Sequence, residues 1–169
     1  MIRYNKLVIS AGVAALSAGL YTSVASAASV STASATARVI TPMTIAEGTA
    51  LHFGDVGVGA GGGDVTLAPG GGRSVTAGDA EIIAGGLNTP GQFTITGLPG
   101  KLYTLTYPGT VNISGGVGQM DVTGFTDNSL GTMPLAGTET FNVGATLTIG
   151  GAQPANTYSN TYTVTVNYQ

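Results

Sequence analysis

The sequence predicts an all-β protein: an immunoglobulin-like β-sandwich preceded by a signal peptide and an extended N-terminal segment. Two observations favour this fold class. Apolar and polar residues alternate over many short stretches, and Gly, Pro, Asn or Asp separates these stretches at turns. No window keeps an apolar stripe with the 3.6-residue period of a helix. A closed barrel is the alternative architecture.

The first 27 residues predict a signal peptide, since a basic start, an apolar stretch and a small-residue cleavage site follow one another. Arg3 and Lys6 supply the charge, residues 7–20 are mostly apolar, and Ala25-Ser26-Ala27 fits the cleavage site. A permanent membrane span needs about 20 apolar residues, more than this stretch holds. We expect cleavage after Ala27, export through the inner membrane to the periplasm and then the cell surface or an extracellular filament, and no transmembrane helix in the mature chain.

Residues 28–40 predict an N-terminal extension that is separate from the main domain. The stretch is rich in Ser, Ala and Thr and has the spacing of a strand, but it has too little apolar area to stay packed in a core alone. It is therefore either a free tail or a strand that waits for a partner. As a donated strand, its inward-facing residues would be Ala33, Ala35, Ala37 and Val39.

Residues 41–169 predict the β-sandwich domain, and its last strand has the clearest alternation. One face of that strand would form part of the core and carries Tyr162, Val164, Val166 and Tyr168. Alternation also predicts strands at 93–96, 103–107 and 141–149, and more weakly at 38–45, 50–56, 64–67, 73–77, 80–84, 111–114 and 119–125. The glycine-rich stretch 57–63 predicts a flexible loop, and 70–72 a second one.

The composition argues against catalysis and cofactor binding. The chain of 169 residues has no Cys, no Trp and one His, with five Lys and Arg against eight Asp and Glu. This excludes disulfides, thiol nucleophiles and metal sites built on cysteines or paired histidines. Loss of the signal peptide leaves only Arg38, Arg73 and Lys101 as basic residues, so no nucleic-acid partner is expected. We predict no enzyme activity, no catalytic residues, no metal and no cofactor.

Three local motifs resemble parts of binding or catalytic sites, but their sequence context argues against these functions. Gly57, Gly59 and Gly62 match G-x-G-x-x-G, but a strand is predicted after them where a dinucleotide site needs a helix. His52 lacks the surrounding motif of a catalytic triad, so we predict that it is a packing residue or an edge-strand residue. Asp79 and Glu81 lie on one side of a predicted strand, which indicates a solvated face rather than a calcium site or a catalytic pair.

Several phrases resemble one secreted bacterial family, the domain of unknown function numbered 4402. They are residues 39–45 (VITPMTI), 51–56 (LHFGDV), 93–97 (FTITG), 141–147 (FNVGATL) and 156–169 at the end of the chain. Their order and spacing cover nearly all of the mature chain. The resemblance implies export and a β-sandwich, and it names no activity.

The C-terminus is also similar to those of chaperone–usher pilins and their spore-coat-U relatives, which end in an alternating apolar strand with a penultimate tyrosine, here Tyr168. This pilin-like resemblance implies a sandwich that lacks one strand. The N-terminal extension of the next subunit would replace it by β-augmentation. It also implies as partners copies of the chain or related subunits, a periplasmic chaperone and an outer-membrane usher.

The predicted function is an exported structural subunit of a bacterial surface filament or pilus, assembled by strand donation from residues 28–40. The alternative is a monomeric secreted adhesin or glycan-binding β-sandwich module.

Overall fold

Strands are the only regular secondary structure in the computed structural model, which describes residues 29–169. The all-β prediction is therefore confirmed for this part of the chain. The predicted signal peptide lies outside the described residues. Residues 38–169 form one compact unit. No helix long and apolar enough to cross a membrane occurs between residues 29 and 169.

Eleven strands follow one another along the compact unit. They are β1 (Thr44–Thr49), β2 (His52–Phe53), β3 (Val56–Leu67), β4 (Arg73–Ile82), β5 (Asn88–Thr89), β6 (Gly91–Thr96), β7 (Tyr103–Thr106), β8 (Thr110–Ser114), β9 (Gln119–Asp127), β10 (Thr138–Ile149) and β11 (Thr165–Tyr168).

The long strand β10 organises a curled antiparallel sheet of seven strands. Its first half pairs with β6. Its second half pairs with β3 on one edge and with β9 on the other, so that Leu147, for example, is paired with both Val65 and Val122. The sheet continues outward to β1 beyond β6, to β4 beyond β3 and to β8 beyond β9. Two small sheets, β7–β11 and β2–β5, stand apart from it.

The buried side chains form two clusters on this large sheet. The first cluster joins β3, β9 and β10 through Val65, Met120, Val122, Ala145, Leu147 and Ile149. The second joins β6, β7 and β10 through Phe93, Ile95, Tyr103, Met133, Phe141 and Val143. Half-buried Phe125 packs against both clusters. The β7–β11 pair adds Leu105 and Val166 to the second cluster, so a two-stranded layer covers that half of the sheet.

The structure corrects the prediction of a flexible loop at residues 57–63, which belong to β3. The ladder with β4 has a bulge between Val58 and Gly63, and Gly62 and Gly78 take up the distortion with φ angles of 76° and 72°. Only glycine reaches such angles without steric cost. A side chain at Gly63 would also lie 2.7 Å from the Ala77 carbonyl oxygen. The glycines thus allow close pairing here.

Other strand boundaries also shift. The strand predicted at 38–45 begins only at Thr44, where pairing with Thr96 starts. The two strands predicted at 73–77 and 80–84 are the single strand β4. The turn at 70–72 is present, closed by a hydrogen bond from the Ala68 amide to the Gly72 carbonyl at 2.8 Å.

Candidate functional site: an open apolar groove

A groove of about 720 Å³ opens over the first core cluster, between β2 and the chain that leads to β11. Its floor consists of apolar side chains of the large sheet, and its walls are residues 50–58 and 153–162. The apolar lining residues include Leu51, Phe53, Val56, Val58, Val111, Ile113, Met120, Val122, Leu147 and Ile149. Many of them are only half-buried. The first core cluster is itself buried, whereas the apolar residues packed around it are only partly covered.

Aromatic rings form one end of this floor. Phe125 stacks on Tyr107 with ring centroids 5.9 Å apart and contacts Tyr162 at 5.2 Å. Tyr162 in turn meets Phe93 edge-on at 6.1 Å. These contacts bind the aromatic rings to both core clusters, so this end of the groove has a fixed shape.

The wall formed by residues 153–160 is attached to β8. Ser159 and Ser114 exchange two backbone hydrogen bonds, at 3.1 and 3.3 Å. The Asn160 side-chain amide donates to the Asn112 carbonyl at 2.8 Å, and the Tyr158 hydroxyl donates to the Pro154 carbonyl at 2.6 Å. This wall is thus held to the large sheet by its own contacts.

The opposite wall is attached to the large sheet through Arg73. The Arg73 guanidinium donates to the carbonyls of Phe53 at 2.8 Å, Asp55 at 3.2 Å and Ile83 at 3.2 Å. Its charge strengthens these bonds. A side chain at Gly54 would collide with the guanidinium, 2.6 Å from Nη1. Glycine at this position therefore lets Arg73 reach the wall.

Within the described part of the chain, no backbone hydrogen bond joins residues 47–58, which contain one wall, to residues 153–164, which contain the other. A second cavity of about 210 Å³ lies between them, lined by Glu47, Ala50 and Leu51 on one side and by residues 160–162 on the other. It shares Leu51 and Tyr162 with the groove. The gap therefore extends along residues 160–162.

Residues 160–164, which we call the C-terminal segment, continue the in–out alternation of β11 but belong to no ladder. Tyr162 and Val164 are half-buried, whereas Thr161 and Thr163 are exposed. None of the five residues makes a backbone–backbone hydrogen bond. Backbone polar groups in folded proteins are nearly always paired or hydrated, so this stretch leaves an edge that a further strand can use.

Two polar atoms of the groove lining are buried without a hydrogen-bond partner, Gln153 Nε2 and the Tyr162 hydroxyl. Burial, with a smaller contribution from the charge of Glu47, raises the pKa of Tyr162 to about 12. A methyl group at Gly91 would collide with this hydroxyl. An unsatisfied buried polar atom costs about 1–3 kcal/mol, so both atoms favour a ligand with hydrogen-bonding groups.

The residues predicted for polymerisation are all exposed and outside any strand. Residues 29–42 have no regular secondary structure, and Val39 exposes 96% of its surface. Ala33, Ala35 and Ala37 are also exposed. The segment is thus available for pairing.

Of the four residues predicted for the core face of the last strand, Val166 and Tyr168 lie on β11, whereas Tyr162 and Val164 precede it and belong to no ladder. Tyr162, Val164 and Val166 pack against the second core cluster, and Val166 faces Leu105 of β7. Tyr168 is half-buried, and its hydroxyl accepts a hydrogen bond from the Leu98 amide at 2.7 Å.

His52 and the acidic pair Asp79 and Glu81 lie on different strands. His52 is an exposed residue of β2, paired with Thr89 of β5. Asp79 and Glu81 are exposed on β4, and Asp79 accepts a hydrogen bond from the Gly61 amide at 3.2 Å. Between residues 29 and 169 no group of three His, Asp or Glu side chains is arranged to hold a metal ion.

Sequence reasoning missed one buried acid and the groove itself. Glu139 is 8% exposed, accepts from the Tyr103 hydroxyl at 2.8 Å and from the Leu130 amide at 2.7 Å, and so supports the loop before β10. An isolated Glu in a Thr-rich strand carries no sequence signal of burial. The groove exists because two segments that are distant in sequence do not contact each other. Hydrophobic periodicity is a local pattern and gives no information about such contacts.

The sequence of almost the whole compact unit matches a known family. The profile described as Domain of unknown function (DUF4402) matches residues 43–168 and so spans all eleven strands. No curated protein and no solved structure matches the chain. The family predicted from the sequence phrases is thereby confirmed, and the chain belongs to the DUF4402 family.

Proposed function

We propose that the chain is an exported structural subunit of a bacterial surface filament, assembled by β-strand donation from residues 28–40. In this proposal the domain is an immunoglobulin-like sandwich whose second layer lacks one strand. The observation that carries the proposal is the open groove, because a complete sandwich would cover the apolar residues of its floor. The partners are copies of the chain or related subunits, with a periplasmic chaperone and an outer-membrane usher during assembly.

The accessible extension supplies the second half of the proposal. Residues 29–42 are free of secondary structure and carry small apolar residues at alternate positions. Main-chain hydrogen bonds give affinity to a donated strand, and its alternate side chains fill the pockets of the acceptor. The chain thus has both an open groove and a segment suited to occupy one.

The arrangement of aromatic residues favours a filament subunit over the alternative, a monomeric adhesin or glycan-binding module. A glycan platform presents exposed rings. Between residues 29 and 169 every Phe and Tyr is buried or half-buried.

The test compares two charge-matched variants of the full chain in its bacterial host. We expect Ala35→Asp/Ala37→Asp, on the inward face of the extension, to abolish multimers in the sheared surface fraction, because assembly would bury two unpaired charges. The control Ser34→Asp/Thr36→Asp places the same charges on the outward face. Multimers are read as a ladder on SDS gels that collapses on boiling.

Three outcomes are decisive. A ladder that is lost only in the inward variant supports strand donation. Equal ladders in both variants contradict a role of the extension. A single monomer band from the unmodified chain, with and without boiling, contradicts the filament and supports the monomeric module.

A further inference from the structure

We propose that the acceptor site is the unpaired edge of the C-terminal segment together with the groove beside it, and that its occupant is residues 28–40 of a second copy. This inference rests on the proposed function and specifies where the donated strand is seated. The donor would form a new strand between β2 and the C-terminal segment, and would hydrogen-bond to the main chain of Tyr162 and Val164.

The direction of the backbone groups follows from the β7–β11 ladder. The Gln169 amide donates to the Leu102 carbonyl at 3.1 Å, so the backbone groups of odd-numbered residues near the end of β11 point toward β7. Successive residues of a strand direct their N–H and C=O groups to opposite edges. The groups of Tyr162 and Val164 therefore point away from β7.

The edge away from β7 is the one beside the gap. Residues 160–162 face Glu47, Ala50 and Leu51 across the second cavity, and no main-chain bond crosses it. Both walls are anchored independently, one to β8 through Ser159 and the other to β4 through Arg73. The gap therefore lies between two walls that are each fixed to the large sheet by hydrogen bonds.

The polar character of the site indicates a peptide rather than a small apolar ligand. The walls present unpaired backbone groups together with two buried polar atoms that lack partners, on Gln153 and Tyr162. A peptide main chain carries a donor and an acceptor at each residue and can satisfy such groups, whereas a hydrocarbon cannot.

The extension fits the site in length, size and charge. Residues 28–40 reach about 40 Å when extended, more than the roughly 17–20 Å of an average strand. Their alternate alanines suit a groove already narrowed by Phe125, Tyr158 and Tyr162. Asp55 and Glu47 are the charged residues that line the groove and the second cavity, and Arg38 is the one charged residue of the extension. These charges are complementary.

Engineered disulfides test the acceptor site directly, because the chain contains no cysteine of its own. Each full chain carries two cysteines, one on the groove wall (Ala155→Cys) and one in the extension. The extension cysteine is placed in turn at Ala33→Cys, Ala35→Cys and Ala37→Cys, so that the result does not depend on the register in which the donated strand pairs. The matched control carries the second cysteine at Ala77→Cys. Ala77 and Ala155 are both exposed, and Ala77 lies on β4, which pairs only with β3 and so offers a competing free edge.

We expect the Ala155→Cys chains to give ladders that survive boiling without reductant. Their yield should exceed that of the Ala77→Cys chains about 100-fold, because a seated strand holds the thiols at a high effective concentration. Two results would overturn the groove as acceptor without contradicting strand donation. In one, the Ala77→Cys chains form covalent ladders; in the other, boiling-sensitive multimers form but neither the Ala155→Cys nor the Ala77→Cys chains give covalent ladders.

Two further outcomes overturn the proposal in different ways. A monomer with an internal disulfide between its own extension and Ala155→Cys means that the extension fills its own groove, which excludes the second copy as occupant. The absence of any multimer from the unmodified chain removes the proposed function itself, and with it the need for an acceptor.

Discussion

Burial of tyrosine hydroxyls makes the fold sensitive to alkali. Burial raises the pKa of Tyr162 to about 12 from the usual 10.0, and the Glu47 charge adds to this. Burial and a hydrogen bond to a carboxylate also raise the pKa of Tyr107, next to Asp127, and of Tyr103, next to Glu139. The unfolded chain loses these protons near pH 10, whereas the folded chain keeps them. Stability is therefore complete below pH 10 and falls as pH rises above it.

We expect the urea midpoint of the monomer to fall steadily between about pH 10 and 12, because Tyr103, Tyr107 and Tyr162 ionise more readily in the unfolded chain than in the folded one. Tyr162→Phe is the control, since it removes one titrating group whose hydroxyl has no hydrogen-bond partner. This variant should lose less stability over the same pH range. Parallel curves for the two proteins would show that the Tyr162 hydroxyl ionises as easily in the folded chain as in the unfolded one.

The last strand determines how well the second core cluster is closed. Val166 packs into that cluster opposite Leu105 of β7, whereas Asn167 beside it is exposed. We expect Val166→Asp to lower the free energy of unfolding by about 2 kcal/mol or more, because it places a charge without a partner against apolar residues.

The control for this strand is Asn167→Asp, which adds the same charge on the solvent side. It should change the free energy of unfolding by less than about 0.5 kcal/mol, as surface substitutions usually do. Urea unfolding followed by circular dichroism measures both variants. Equal losses in the two variants would show that net charge, rather than burial at position 166, destabilises the strand.

At the scale of elements, sequence periodicity predicts strands best where a buried face demands it. The strand predicted at 141–149 lies within β10, because its alternate residues fill both core clusters. Residues 57–63 have almost no side chains, so they carry no periodic signal, and their pairing depends on the distant glycine Gly78. The walls of the groove are likewise set by contacts such as Arg73 to Phe53, which alternation does not record.

The molecule as a whole combines one well-covered half with one open half. The β7–β11 sheet covers the second core cluster, while the groove leaves the apolar residues packed around the first cluster partly exposed. Both clusters share β10, so the large sheet holds the open half in shape without a strand above it. Under the proposed function, this division would let a subunit fold and still keep an acceptor for another chain.

Hydrogen exchange should detect the transition from open to completed subunit. In the monomer, the amides of Tyr162 and Val164 should exchange quickly, since neither makes a backbone–backbone hydrogen bond. In the filament, a donated strand would pair with these two amides and slow their exchange. The Thr163 amide also makes no backbone–backbone hydrogen bond, and because residue 163 is odd-numbered it faces the β7 side rather than the donated strand, so it should remain fast in both states. Amides in the centre of β10, bonded on both edges, serve as the control and should be protected throughout. If Tyr162 and Val164 exchange equally fast in filament and monomer, no strand is seated on this edge, and the acceptor lies elsewhere on the subunit.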